Sequence, residues 1–122
     1  MALLPQREGS RDLSTESRIL ELNSAEADVA LETLTSETTR TVLSIIYEQP
    51  SLPSEIRDEI DTSLQNVHYH LQKLEKGELI EPVGTSYSKK GREMTVYAPA
   101  YDEIVLVAGR DSTYHQVKEF IR

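Results

Sequence analysis

Between Asp61 and Glu75 the chain reads DTSLQNVHYHLQKLE, with apolar residues at Leu64, Val67, Leu71 and Leu74. Val67, Leu71 and Leu74 fall on one stripe at helical spacing, which predicts an amphipathic helix. Thr62 stands at the N-cap position with Gln65 three residues on, the pattern of a capping box. Asp61 suits the turn before it, because a short polar side chain tolerates left-handed or bridge backbone. The same period recurs upstream. Ser24 opens a helix with Ala27, Ala30, Leu31 and Leu34 on one face and acids in its first turn, where the helix dipole favours them. Ser36, Thr39 and Arg40 open another, whose Val42, Leu43, Ile45 and Ile46 form a broad apolar face that ends near Glu48, before Pro50. Pro53 then starts a short helix, SEIRDEI, with Ile56 and Ile60 inward. Ser14 to Leu22 is read as the start of a short helix through Ile19, Leu20 and Leu22, and Met1 to Asp12, which lacks periodicity, as an arm.

Beyond Gly77 the period changes to two. Leu79–Val83 and Met94–Tyr97 are strand-like, and Ser86–Arg92 between them holds a glycine for the turn and three bases. That pattern predicts a β-hairpin whose tip is the most basic patch on the chain. Glu103–Ala108 is an apolar run too short to assign by period, and Gly109 breaks it. Asp111 or Ser112 then caps a last helix, with Tyr114, Val117, Phe120 and Ile121 on one face.

A short helix, a tight turn and a longer capped helix form a helix-turn-helix, and the hairpin adds a wing. The expected fold is therefore an α+β winged helix-turn-helix. Its expected divisions are an arm over 1–17, the winged domain over 18–99 and a dimerisation segment over 100–122. The core is small, with 38% hydrophobic residues, so the apolar terminal face is expected to pack on a second copy through Leu31, Leu34, Tyr114, Val117, Phe120 and Ile121.

Cysteine is absent, which excludes disulfides and thiolate metal sites. No apolar run approaches the roughly 20 residues of a membrane span, and Met1–Leu4 followed by Pro5 is too short for a secretory signal. A cytoplasmic location and no membrane partner are expected. There is no Ser-His-acid order, Gly-rich phosphate loop or metal-ligand cluster of known spacing, so no catalysis is expected. The formal net charge of −8 runs against the basic balance usual in nucleic-acid binders. An acidic, lysine-poor chain suits a cytosol at molar salt, where the Debye length is about 3 Å.

Within that acidic chain, the polar face of the Asp61–Glu75 segment carries Ser63, Gln65, Asn66, Tyr69, Gln72 and Lys73 and no acid. Such a face suits double-stranded DNA. Ser63, Leu64, Gln65, Asn66 and Tyr69 are the candidate base contacts, since amides pair bidentately with adenine. Leu64 is open to two readings, a thymine methyl or packing beneath the preceding helix. Arg57, His70, Lys73, Ser88, Lys89, Lys90 and Arg92 are the candidate backbone contacts. For His70 the alternative is a buried hydrogen bond; His68 points to another face, so the two do not share a metal. No metal or organic cofactor is expected, although potassium ions taken up at the DNA interface would relieve repulsion between phosphates and Asp58, Glu59 and Asp61. The competing reading is a winged-helix protein-interaction module that has lost DNA binding.

With LETLTSETTRTVLSIIYEQP, DTSLQNVHYHLQKLE and YSKKGREMTVYAP all present, the chain resembles archaeal winged-helix regulators of the ArsR type, and more narrowly a haloarchaeal branch. The resemblance spans most of the chain, from Ala25 to Pro99. It implies a homodimeric transcription regulator on palindromic promoter sites. The helix beginning at Thr62 would enter the major groove, and Lys89-Lys90-Gly91-Arg92 would reach the flanking backbone or minor groove. Asp61 replaces the family's usual turn glycine, and Gly77-Glu78 its alanine-glycine corner. Only His115 with Glu119 stands where metal-sensing members carry fuller ligand sets.

Overall fold

The computed structural model describes residues 16–121; the Met1–Asp12 arm lies outside them. The elements in order are β1 (Arg18–Glu21), α1 (Ala25–Thr33), α2 (Glu37–Glu48), α3 (Pro53–Ile60), α4 (Leu64–Lys76), β2 (Ile80–Tyr87), β3 (Glu93–Pro99), β4 (Ile104–Val107) and α5 (Asp111–Ile121). This is a winged helix-turn-helix: α3 and α4 are its two helices, and β2 and β3 its wing.

The apolar stripes meet where their periods direct them. Val42 and Ile46 of α2, Ile56 of α3, and Val67 and Leu74 of α4 are fully buried against one another, with Leu79 and Ile80 closing the core from the root of the wing. Each such side chain contributes about 1.5–3 kcal/mol by leaving water. Ser24 and Ser36 cap α1 and α2, accepting from the N–H groups of Ala27 and Thr39. Pro53 occupies the first turn of α3, and Glu55 reaches back to accept from the Leu52 N–H at 2.8 Å.

Both corners flanking α4 use left-handed backbone at acidic residues. Asp61 closes α3 at φ 54, ψ 58, as a residue with a short polar side chain can. After α4, the N–H of Leu79 reaches the Leu74 carbonyl and that of Glu78 reaches Glu75, with Glu78 at φ 63. This is a Schellman closure carrying glutamate where glycine is usual. Gly77 serves a different purpose: a Cβ there would sit 2.6 Å from Thr33 Oγ1, so its bareness lets α1 approach.

One expectation changes here and one open segment is resolved. The Ser14–Leu22 segment, where described, is a strand rather than a helix. β1 pairs in parallel with β4, Arg18 opposite Ile104 and Glu21 opposite Val107. The reason is long-range: Leu20 gains a buried place against Ala27 and Ala30, which no local period reveals. The same pairing resolves Glu103–Ala108 as β4, joining the 100–122 segment to β1. Tyr47 ties α2 to this region by donating to the Tyr101 carbonyl at 3.0 Å. Its hydroxyl pKa is pushed up to about 12 by burial and then by Glu103 and Asp102.

Candidate nucleic-acid interface

Ser63, not Thr62, is the N-cap of α4. Its side chain accepts from the Asn66 N–H at 3.0 Å. Thr62 instead accepts from the Asn66 side-chain amide, also at 3.0 Å. The helix thus starts one residue later than the capping-box pattern suggested, and its axial rotation follows the buried set Val67, His70, Leu71 and Leu74. Opposite that set lie Gln65, His68, Tyr69, Gln72 and Lys76, all exposed, with Lys73 beside them half-buried. Lys73 Nζ stands 5.6 Å from the centre of the Tyr69 ring, within cation–π range. No carboxylate lies between Gln65, Tyr69, Gln72 and Lys76 at the centre of this face. Glu75, exposed, borders the face on the His68 side, and is close enough to Tyr97 to raise that phenol's pKa together with the larger effect of burial.

The proposed base contacts therefore fall into two groups. Gln65 and Tyr69 project freely, Tyr69 with 55% of its surface exposed. Ser63 and Asn66 are engaged at the helix start, where their hydrogen bonds fix the α3–α4 turn. Leu64 is exposed rather than tucked under α3. His68, Gln72 and Lys76 share the outer face and were not among the residues singled out for contact. The signal for Gln72 and Lys76 was available, since both lie away from the Val67–Leu71–Leu74 stripe, whereas His68 sits on its flank.

His70 is withdrawn from the surface, and the phosphate-contact reading is corrected accordingly. Only 6% of it is exposed, and its Nδ1 lies 2.8 Å from Thr39 Oγ1 of α2. Burial, and secondarily the Lys73 ammonium, lowers its pKa. The ring locks α4 to α2 through a buried polar bond, which explains why its position on the apolar side is compatible with a stable core.

The wing presents the remaining cations. Ser88 organises its tip: the Ser88 N–H meets the Arg92 carbonyl at 2.9 Å, and Ser88 Oγ accepts from the N–H groups of Lys90 and Arg92. Gly91, at φ +81, supplies the conformation that closes the loop. Lys89, Lys90 and Arg92 are left exposed around that frame. Arg57 is half-buried on α3, with its Nε donating to Asp58 Oδ1 at 3.2 Å, so its charge is partly offset.

Among the residues expected at a dimer contact, Leu31 is 46% and Phe120 89% exposed. Tyr114 and Val117 are half-buried, as is Leu34, which packs on the chain's own core. The Ile121 side chain lies outside the described set. His115 makes an edge contact with the Tyr114 ring, and among the described residues no group of three or more acids or histidines is placed to hold a metal. None of the described helices is long and apolar enough to cross a membrane.

A capped second helix with a free polar face, set beside a basic hairpin, defines the class: a winged helix-turn-helix. Comparison with known proteins points the same way. Residues 34–83 match the family model of a helix-turn-helix domain. HlyU from Vibrio cholerae superposes with a TM-score of 0.53 at 16% identity, over 80% of this chain and 90% of that one. The transcriptional regulator HlyU from Vibrio vulnificus gives 0.51 at 18% identity, over 80% and 86%. A homodimeric winged helix-turn-helix DNA-binding domain from Mycobacterium bovis, of a possible ArsR-family regulator, gives 0.50 at 15% identity, over 78% and 77%. At these identities the likeness is one of fold. No curated protein matches the chain.

Proposed function

We propose that this protein is a homodimeric, sequence-specific DNA-binding regulator of transcription that lays α4 in the major groove of palindromic promoter sites. The observation that carries the reading is the acid-free centre of the outer face of α4, Gln65, Tyr69, Gln72 and Lys76, in a chain of net charge −8. A solvated helix face of an acidic protein ordinarily carries carboxylates, and this one presents amides, an aromatic ring and a base instead. Gln65 and Gln72 offer amides to base edges, Tyr69 a ring and hydroxyl, and Lys76 with the Lys89–Arg92 tip a grip on phosphates. The role is one of binding, without chemistry.

The acidic, lysine-poor balance fits a salt-rich cytoplasm. Asp58 and Glu59 are exposed on α3 beside the reading helix. Near phosphate they would repel it, and potassium ions taken up between them would remove the repulsion. Uptake opposes the counterion release that makes ordinary DNA binding fall steeply with salt. Selection from a random duplex library, followed by titration of the selected site at several potassium chloride concentrations, tests both parts. A shared palindromic sequence, bound with a flat or rising salt dependence up to molar salt, is expected. Recovery of no sequence would favour the protein-interaction module instead.

A further inference from the structure

The β1·β4 sheet has two edges of unlike character. The carbonyls of Glu103 and Val107 accept from the N–H groups of Arg18 and Leu22, so alternate residues of β4 face β1 and the N–H and C=O groups of Ile104 and Leu106 point away from it. Among the described residues none of these outward groups meets a partner. The free edge of β1 is flanked by the charges of Arg18 and Glu21, whereas β4 reads Ile-Val-Leu-Val, without a charge or a proline. Charged side chains and prolines are what ordinarily keep an edge strand from pairing. Moreover, parallel sheets seldom stand as two exposed strands.

We infer that β4 pairs edge to edge with β4 of a second copy, forming a continuous sheet in the order β1-β4-β4-β1 across a two-fold axis. The occupant follows from the strand itself. A two-fold relation makes the pairing antiparallel, and all the outward groups of Ile104 and Leu106 are satisfied by one another when Ile104 faces Leu106 of the other copy, with Val105 on the axis. In that register Ile104 and Leu106 exchange both backbone bonds in each half of the interface. Their side chains lie on one face, beside the cleft of about 410 Å³ that Leu31, Leu34, Leu43 and Tyr47 line with them. Leu106, 44% exposed in the single chain, would be covered by an apolar neighbour. Continuity with Leu31 favours a second copy over an unrelated peptide. This inference rests on the homodimer reading and names its contact.

Hydrogen exchange resolved to single amides, read above and below the concentration of self-association, tests it. The amides of Ile104 and Leu106 should slow by about tenfold or more in the dimer, as paired strand amides do. Leu106→Pro removes an outward N–H while sparing the bonds to β1, and should raise the dimer dissociation constant by roughly ten- to a hundredfold. Leu106→Ser keeps that N–H and should weaken association less. A dimer whose Ile104 and Leu106 amides exchange freely would overturn the edge pairing and leave the homodimer standing. A wild type that stays monomeric would overturn both.

Discussion

Ile46, Ile56 and Leu74 are sealed between α2, α3 and α4, whereas Leu31, Leu106 and Phe120 of α1, β4 and α5 stand in solvent. The first group completes its core with residues close in sequence, joined by short turns. The second draws together β1 and β4 from far apart in the chain and still leaves apolar surface over. One region is thus built to hold a reading helix rigidly. The other leaves apolar side chains uncovered within the single chain, as the proposed dimer requires.

The sharpest way to break that comparison is to truncate one residue from each region. Leu71→Ala, in the sealed core, should cost about 2–5 kcal/mol in chemical denaturation. Phe120→Ala should leave the stability of the isolated chain within about 0.5 kcal/mol while weakening self-association in light scattering. Equal losses of stability would erase the distinction between the two regions.

A smaller effect probes the polar lock inside the sealed region. Since burial and Lys73 lower the His70 pKa from its ordinary 6.5, the unfolded chain takes up the proton more readily below that pH. His70 therefore contributes full stability above pH 6.5, and that contribution falls as pH drops through the window beneath it. Denaturation at a series of pH values should show this slope, and His70→Gln should flatten it. A slope indifferent to the substitution would mean that another group carries it.

The corner after α4 supplies the smallest change, and one of opposite sign. Glu78 holds φ 63, where a side chain costs about 1 kcal/mol. Glu78→Gly should raise the unfolding midpoint modestly, while Asp61→Gly should gain less, because aspartate already tolerates the left-handed region. A destabilised Glu78→Gly protein would show that the carboxylate has a contact worth more than the strain.

Much of this architecture was legible in the sequence because helices and hairpins are written locally. Val67, Leu71 and Leu74 fixed the inner side of α4, and Gly91 with its flanking bases marked the wing. What escaped was decided by contacts remote in the chain. Ile19 and Leu20 fit a helix or a strand until β4 is present to pair with them. The cap of α4 moved from Thr62 to Ser63 because both are hydroxyl residues suited to an N-cap, and the Gln65 that completed a capping box with Thr62 does not decide between them. His70 was ambiguous between surface and core, and Thr39, on another helix, settles it. In the candidate site, helical spacing was enough to find Gln65 and Tyr69, and Lys76 on the same face was passed over. The spacing was not enough to show that Ser63 and Asn66 are occupied in holding the turn.

The central claim is that the outer face of α4 reads base sequence while the wing holds the backbone. It is tested most directly by titrating the selected operator and a scrambled duplex with the wild type, Gln65→Ala, and the double variant Lys89→Ala with Lys90→Ala. Gln65→Ala should lose about 1–3 kcal/mol on the operator and little on the scrambled duplex, narrowing the preference. The wing variant should weaken both duplexes alike. A wing variant that changes base preference, beside a Gln65→Ala protein that keeps it, would contradict the account.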